Sequence, residues 1–299
     1  MNFKDIIYFP SFSAGLGGYY INKAKFRDEL DYRFFSNEFP EEFRYKNFLI
    51  TAGHLYKKPN ARTDMGLDDS FVIGDSGGFQ IATGALAWSK EIRSDIFNWL
   101  ENNSDVAVNL DIPPRSKYEG KFYECLDISY DNFKWFNENQ SGKTKFLGVI
   151  QGYTELSQYE TWYDKVKGFD FNGWCVGSGD TMSRLLYATA VLLKNKEFEN
   201  KNNQYIHYLG QTKVSDFFLY TLIQRGFDTH GMSHVQVMTD SSSPVMFPIY
   251  GVVVWDADIR KMSYISHNFK TKTDKNTKTD AMYIETADFY SKFKTPVEK

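Results

Sequence analysis

The chain has 299 residues, 42% of them apolar and 24% charged, with a formal net charge of −3. That length suits one α/β barrel or two average domains, and the composition is ordinary for a soluble globular protein. The charge gives no global signature of a nucleic-acid binder, so any such contact must use local groups such as Lys143/Lys145 or Arg260/Lys261.

No apolar stretch is long enough to span a bilayer, and Lys4, Asp5 and Pro10 interrupt the apolar residues at the start. No membrane partner is expected, and a cytoplasmic protein is the default. Aromatic residues reach 17%, with 26 Phe and 20 Tyr, and are assigned to core filling rather than to a base-stacking surface. Cys125 and Cys175 are isolated, lack metal-ligand or redox spacing, and are expected as buried, reduced thiols.

In chain order, apolar runs bounded by turn signals predict strands at Phe48–Thr51, Phe71–Gly74, Val106–Leu110, Phe146–Ile150, Trp174–Gly177, Tyr205–Leu209, Val235–Thr239 and Gly251–Trp255. Helical periodicity falls between most of them, at Glu91–Glu101, Tyr123–Asn139, Tyr159–Val166, Met182–Lys194 and Val214–Arg225. Strand and helix alternating about eight times predicts a parallel sheet closed into a (β/α)8 TIM barrel, with an open doubly wound sheet as the alternative. The barrel domain is read as residues 1–270 with short terminal appendages. The tract Thr271–Thr279 lacks apolar residues and reads as an exposed linker to a final short helix around Ala281–Phe293.

The strand ends carry the chemistry. Asp75, Asp111, Gln151 with Gly152, Ser178 with Gly179, Gly210 and Asp240 each follow an apolar run. In a parallel barrel these positions converge on the C-terminal face, where such folds place their active sites. Two carboxylates facing one substrate can divide labour, one attacking an anomeric carbon and the other handling protons. Asp and Gln beside glycine backbone N–H groups suit the edge of a flat heterocycle. The stretch VIGDSGGFQ (Val72–Gln80) suggests that its glycines let such a base lie against the backbone. No metal or cofactor is called for, since the five histidines (54, 207, 230, 234, 267) form no known metal-binding pattern. His54 is read as structural, with a hydrogen bond inside the site as the alternative.

The motifs, in order, are TAGHLYKKPN, DSGGFQ, NLDIPP, GVIQGYTELSQYE, GFDFNGWCVGSGD and YLGQTKVSDFFLYTLIQRGFD. Together they resemble the tRNA-guanine transglycosylases, base-exchange enzymes that put queuine, its precursors or the archaeosine precursor into tRNA. Order and rough spacing hold from about Phe48 to Asp240, and DSGGFQ is the specific element. The resemblance implies Asp75 as the acid/base residue, with Ser76 and Phe79 shaping the pocket. Asp111 would bind the N1/N2 edge of a guanine-like base and Gln151 its O6 side, while Gly177, Ser178 and Gly210 complete the substrate-binding set.

The nucleophile is less direct. The family's aspartate lies three residues after the last residue of a motif matched here by RGFD, but three residues after Asp228 stands Gly231. The later VQVMTDSSSP resembles the family's nucleophile strand and makes Asp240 the candidate; a turn or helix cap before Ser241–Ser243 is the competing role.

The family's three-cysteine zinc group has no counterpart, because no cysteine follows Cys175. SGD near Ser178 also replaces the family's GGL. The chain is therefore most similar to the zinc-less phage branch, DNA-guanine transglycosylases that exchange guanine for a 7-deazaguanine such as preQ0. The implied partners are nucleic acid, with DNA preferred over tRNA, and a 7-deazaguanine base. A phage-encoded protein would work in the host cytoplasm. A non-catalytic nucleic-acid-binding relative and a barrel glycosidase acting on sugars are the other expectations.

Overall fold

The computed structural model describes residues 3–12, 41, 44–177, 181–210, 214–242, 252–258 and 263–268. The chain divides into two compact units, Met1–Ser243 and Pro244–Lys299.

In the first unit the order is β1 (Ile7–Phe12), β2 (Asn47–Thr51), α1 (Ala52–Leu55), α2 (Ala61–Met65), β3 (Phe71–Asp75), α3 (Gly78–Thr83), α4 (Lys90–Asn103), β4 (Val106–Val108), α5 (Phe122–Asn139), β5 (Lys145–Ile150), α6 (Ser157–Val166), β6 (Gly173–Val176), α7 (Met182–Lys194), β7 (Tyr205–Tyr208), α8 (Val214–Thr229) and β8 (Gln236–Ser241). These strands pair in sequence order, all parallel, and β8 closes on β1 to make an eight-stranded barrel. The fold is a (β/α)8 TIM barrel, as the alternation of periods predicts.

One barrel strand differs from the sequence reading. The first is Ile7–Phe12, whereas the run at Gly251–Trp255 belongs to β9 (Val252–Asp258), which pairs antiparallel with β10 (Ser263–Asn268) in a separate two-stranded sheet. An apolar run of this length does not reveal which sheet it joins. β1 accommodates Pro10 where the strand changes partner. Ile7–Pro10 are in register with β8, and Ser11–Phe12 with β2. The last barrel strand ends at Ser241 and the second unit starts at Pro244, ahead of the domain limit read at residue 270. The tract Thr271–Thr279 and the helix expected at Ala281–Phe293 lie outside the described residues.

Side chains of each strand alternate between the barrel interior and the helix layer. Outward residues carry much of the aromatic content. Phe146 of β5 packs against Phe97 of α4 and Phe136 of α5, with ring centroids 5.6 and 5.5 Å away. Tyr208 of β7 stacks on Tyr220 of α8 at 4.5 Å. The helices answer with apolar stripes at helical spacing, such as Leu185, Ala188, Val191 and Leu192 on α7. Ser89 caps α4 by accepting the Ile92 N–H at 3.2 Å. Emptying the Phe146 site with alanine would cost about 3–5 kcal/mol.

Inward residues meet across the barrel. Phe9 of β1 lies 6.2 Å from the His207 ring of β7, and Phe71 of β3 lies 6.4 Å from Tyr205 of β7, although neither pair is on adjacent strands. Register also sets Val149, Cys175, His207 and Met238 side by side on β5 to β8. This packed interior is the floor beneath the C-terminal mouth.

Candidate functional site

Two glycines after Asp75 are accounted for by backbone packing. Gly77 has φ +89°, and a Cβ built there would stand 2.5 Å from the Gly53 Cα at the start of α1. At Gly78 a Cβ would stand 2.0 Å from the carbonyl oxygen of Asp111. The turn after β3 is thus wedged between the turns after β2 and β4, and only glycine permits either approach. Backbone packing therefore accounts for glycines that the sequence reading assigned to the approach of a flat base. Their contacts hold Asp75 and Asp111 in one corner.

Ser76 is fully buried and donates to the Asn109 carbonyl at 3.2 Å, tying β3 to the end of β4. Phe79 is 52% exposed on the first turn of α3. His54 Nε2 accepts from Gln80 Nε2 at 3.0 Å, which joins α1 to α3, and burial lowers its pKa. A structural role for His54 fits that geometry.

Asp75, the last residue of β3, is partly exposed at the mouth and receives the Gly77 N–H at 3.3 Å. Burial of its carboxyl pushes its pKa up to about 6, against the opposing Gly77 hydrogen bond and with help from the Asp240 charge. Asp111 is 5% exposed and is pushed up to about 7, chiefly by burial, opposed by a Gln151 hydrogen bond and assisted by the Asp75 charge. Gln151 Nε2 donates to Asp111 Oδ2 at 2.6 Å.

Gly177, just past β6, makes room for Gln151, since a Cβ there would stand 2.3 Å from Gln151 Nε2. Tyr159 of α6 donates to the Gly177 carbonyl at 3.1 Å and fixes that turn. Ser178 lies outside the described residues.

On the other side of the mouth, Asp240 lies within β8, not beyond its end as the sequence reading had it. It is 7% exposed. Its Oδ1 accepts from the Gly210 N–H at 2.9 Å and sits 3.0 Å from His207 Nε2. Gly210 has φ +68°, a left-handed turn that aims its N–H back at β8. A strand residue held in this way is no helix cap. Asp228, the aspartate of the RGFD motif, accepts from the Lys4 N–H and from Gln224, at the end of α8 that feeds β8 and so on the face opposite the mouth.

Asp75, Asp111, Gln151, Gly177, Gly210 and Asp240 thus gather at one end of the barrel. Asp75 lies near enough to both other aspartates for their charges to act on one another. His207 was missed as a member. Its signal in the sequence is parity alone: in YIHY it occupies an inward position of its strand. Cys175, beside it in the floor, is fully buried, and desolvation raises its thiol pKa well above the ordinary value. Among the described residues no group of three or more His, Cys, Asp or Glu is arranged to hold a metal ion, and no helix is long and apolar enough to cross a membrane.

Chemically, the arrangement offers a carboxyl that exchanges protons near neutrality, an acid–amide pair with acceptor and donor atoms side by side, and a carboxylate anchored through one oxygen. No protein-family model matches the sequence, and no curated protein matches it.

Proposed function

We propose that the protein is a base-exchange transglycosylase that replaces guanine in a polynucleotide, DNA in preference to tRNA, with a 7-deazaguanine of the preQ0 kind. The observation that carries this reading is the convergence of Asp75, Asp111 with Gln151, and Asp240 on one barrel mouth in three unlike environments. The resemblance of DSGGFQ and its companion motifs to guanine transglycosylases supports the same assignment of parts.

In the first half-reaction a carboxylate oxygen of Asp240 attacks C1′ of the nucleotide. The C1′–N9 bond breaks, and the departing guanine takes a proton from Asp75. In the second half the incoming base gives its N9 proton to Asp75, N9 bonds to C1′, and the C1′–oxygen bond to Asp240 breaks. Two inversions retain the configuration. Asp111 accepts from the N1–H and N2–H edge, and Gln151 donates to O6. A guanine inside a duplex must be flipped out first, at a cost of a few kcal/mol.

DNA is preferred because no cysteine follows Cys175, so the three-cysteine zinc group that follows the nucleophile strand in the tRNA enzymes has no counterpart. The test is to incubate the protein with radiolabelled guanine and, separately, duplex DNA, single-stranded DNA and tRNA. Label in DNA supports the reading. Label in tRNA alone transfers the activity to the other polymer, and label in none overturns base exchange.

A further inference from the structure

We infer that His207 is a positioning residue that anchors Oδ1 of Asp240, leaves Oδ2 to attack, and chiefly promotes breakdown of the covalent intermediate. The inference rests on the base-exchange reading. Its starting point is geometric: the two hydrogen bonds that described residues make to Asp240, from His207 Nε2 and the Gly210 N–H, both end on Oδ1. His207 is fully buried, and a carboxylate can only accept, so Nε2 carries the proton of this bond.

The described remainder of the ring's surroundings offers no partner for a proton relay. Nδ1 has no hydrogen-bond partner among the described residues, so a second proton there would be buried without an acceptor. Cys175 and Met238 flank His207 in register, the Phe9 ring lies 6.2 Å away, and Asp240 is the acidic residue bonded to it. The imidazole is therefore a fixed donor.

When Oδ2 bonds to C1′, the carboxylate becomes an ester and Oδ1 becomes its carbonyl oxygen, with less negative charge. Hydrogen bonds to a carboxylate are stronger than those to a neutral carbonyl. Donors on Oδ1 thus favour the free aspartate over the ester. They make Asp240 a better leaving group when the incoming base attacks, while holding the carboxyl plane so that Oδ2 faces C1′. His207 keeps its proton in both half-reactions, and the only proton transferred passes through Asp75.

Three variants test this: His207→Phe removes the donor, His207→Asn is too short to reach Oδ1, and His207→Gln retains a donor at similar reach. Formation of the denaturation-resistant protein–nucleic acid adduct, and its decay on adding acceptor base, are timed in single turnovers, with thermal melting followed in parallel. In His207→Phe and His207→Asn, decay should slow about 10- to 100-fold, more than formation does, so that adduct accumulates. His207→Gln should recover much of the decay rate.

Equal slowing of both halves, or no difference between Asn and Gln, overturns the inference and leaves His207 a core residue. Should His207→Phe fail to fold, Asn against Gln decides. If wild type exchanges base without forming any adduct, or exchanges none, the fault lies in the mechanism above, and the inference falls with it.

Discussion

The two sides of the barrel mouth hold the same residue type in opposite ways. Asp75 and Asp111 stand in the corner built by Gly53, Gly77 and Gly78, where burial raises both carboxyls toward neutrality. Asp240 stands in β8 with two donors on one oxygen. Environment, not residue identity, sorts carboxyls into proton carriers and nucleophiles. The first side suits groups that gain and lose a proton or meet N–H donors. The second suits a group that forms and breaks a covalent bond without reorienting.

The largest expected effect comes from breaking the second side. Asp240→Asn keeps the shape and both anchoring donors nearby but removes the nucleophile, so base exchange and the covalent adduct should both disappear while the circular dichroism spectrum stays native. Normal exchange by this variant would falsify the role of Asp240. Asp228 faces the other end of the barrel and offers no substitute.

Asp75→Asn should slow exchange by about 10²–10⁴-fold, the usual worth of a positioned acid or base. In wild type the two halves should also respond oppositely to pH. Guanine release needs the protonated form of Asp75 and should decline as pH rises through about 6, whereas capture of the incoming base needs the carboxylate and should decline below it. Single-turnover rates across this range check the point, and parallel profiles for the two halves would sink it.

Asp111 sharpens the comparison through stability. A carboxyl raised to about 7 in the fold from 3.8 when unfolded costs stability that builds as pH rises from 3.8 to about 7 and is full above it. Asp111→Asn relieves that cost and can still accept from Gln151. It should be more stable than wild type by on the order of 1–3 kcal/mol at neutral to basic pH. The gap should narrow as pH falls and vanish below 3.8, which denaturant titration at several pH values would read. The same variant should lose about 1–3 kcal/mol of discrimination against adenine and hypoxanthine, because a guanine N–H is left unpaired.

The smallest effect is expected from Gly177→Ala. Its methyl group would stand 2.3 Å from Gln151 Nε2, so the amide must shift away from Asp111. Since the far end of a side chain can yield, the fold should survive and the KM for the base should rise roughly fivefold with kcat little changed, one displaced hydrogen bond being worth about 1 kcal/mol. An unchanged KM would show that Gln151 does not read the base.

Much of this arrangement was legible one residue at a time. Alternating periods identified seven of the eight barrel strands within a few residues, and the residues that end or follow them, Asp75, Asp111, Gln151 and Gly210, lie at the mouth where parallel strands must deliver them. Local periodicity records which residues share a face, and strand direction records which end they reach; both are written in the sequence. What the sequence did not contain was partnership. That Ile7–Phe12 closes the barrel while Val252–Asp258 pairs with a hairpin partner depends on which edge a strand meets. That Gly77 meets Gly53, and that His207 reaches Asp240, depends on register between strands distant in the chain. A run of residues specifies its own period, but the approach of two runs is settled only when all eight strands close and each inward side chain must find its neighbours in a shared interior.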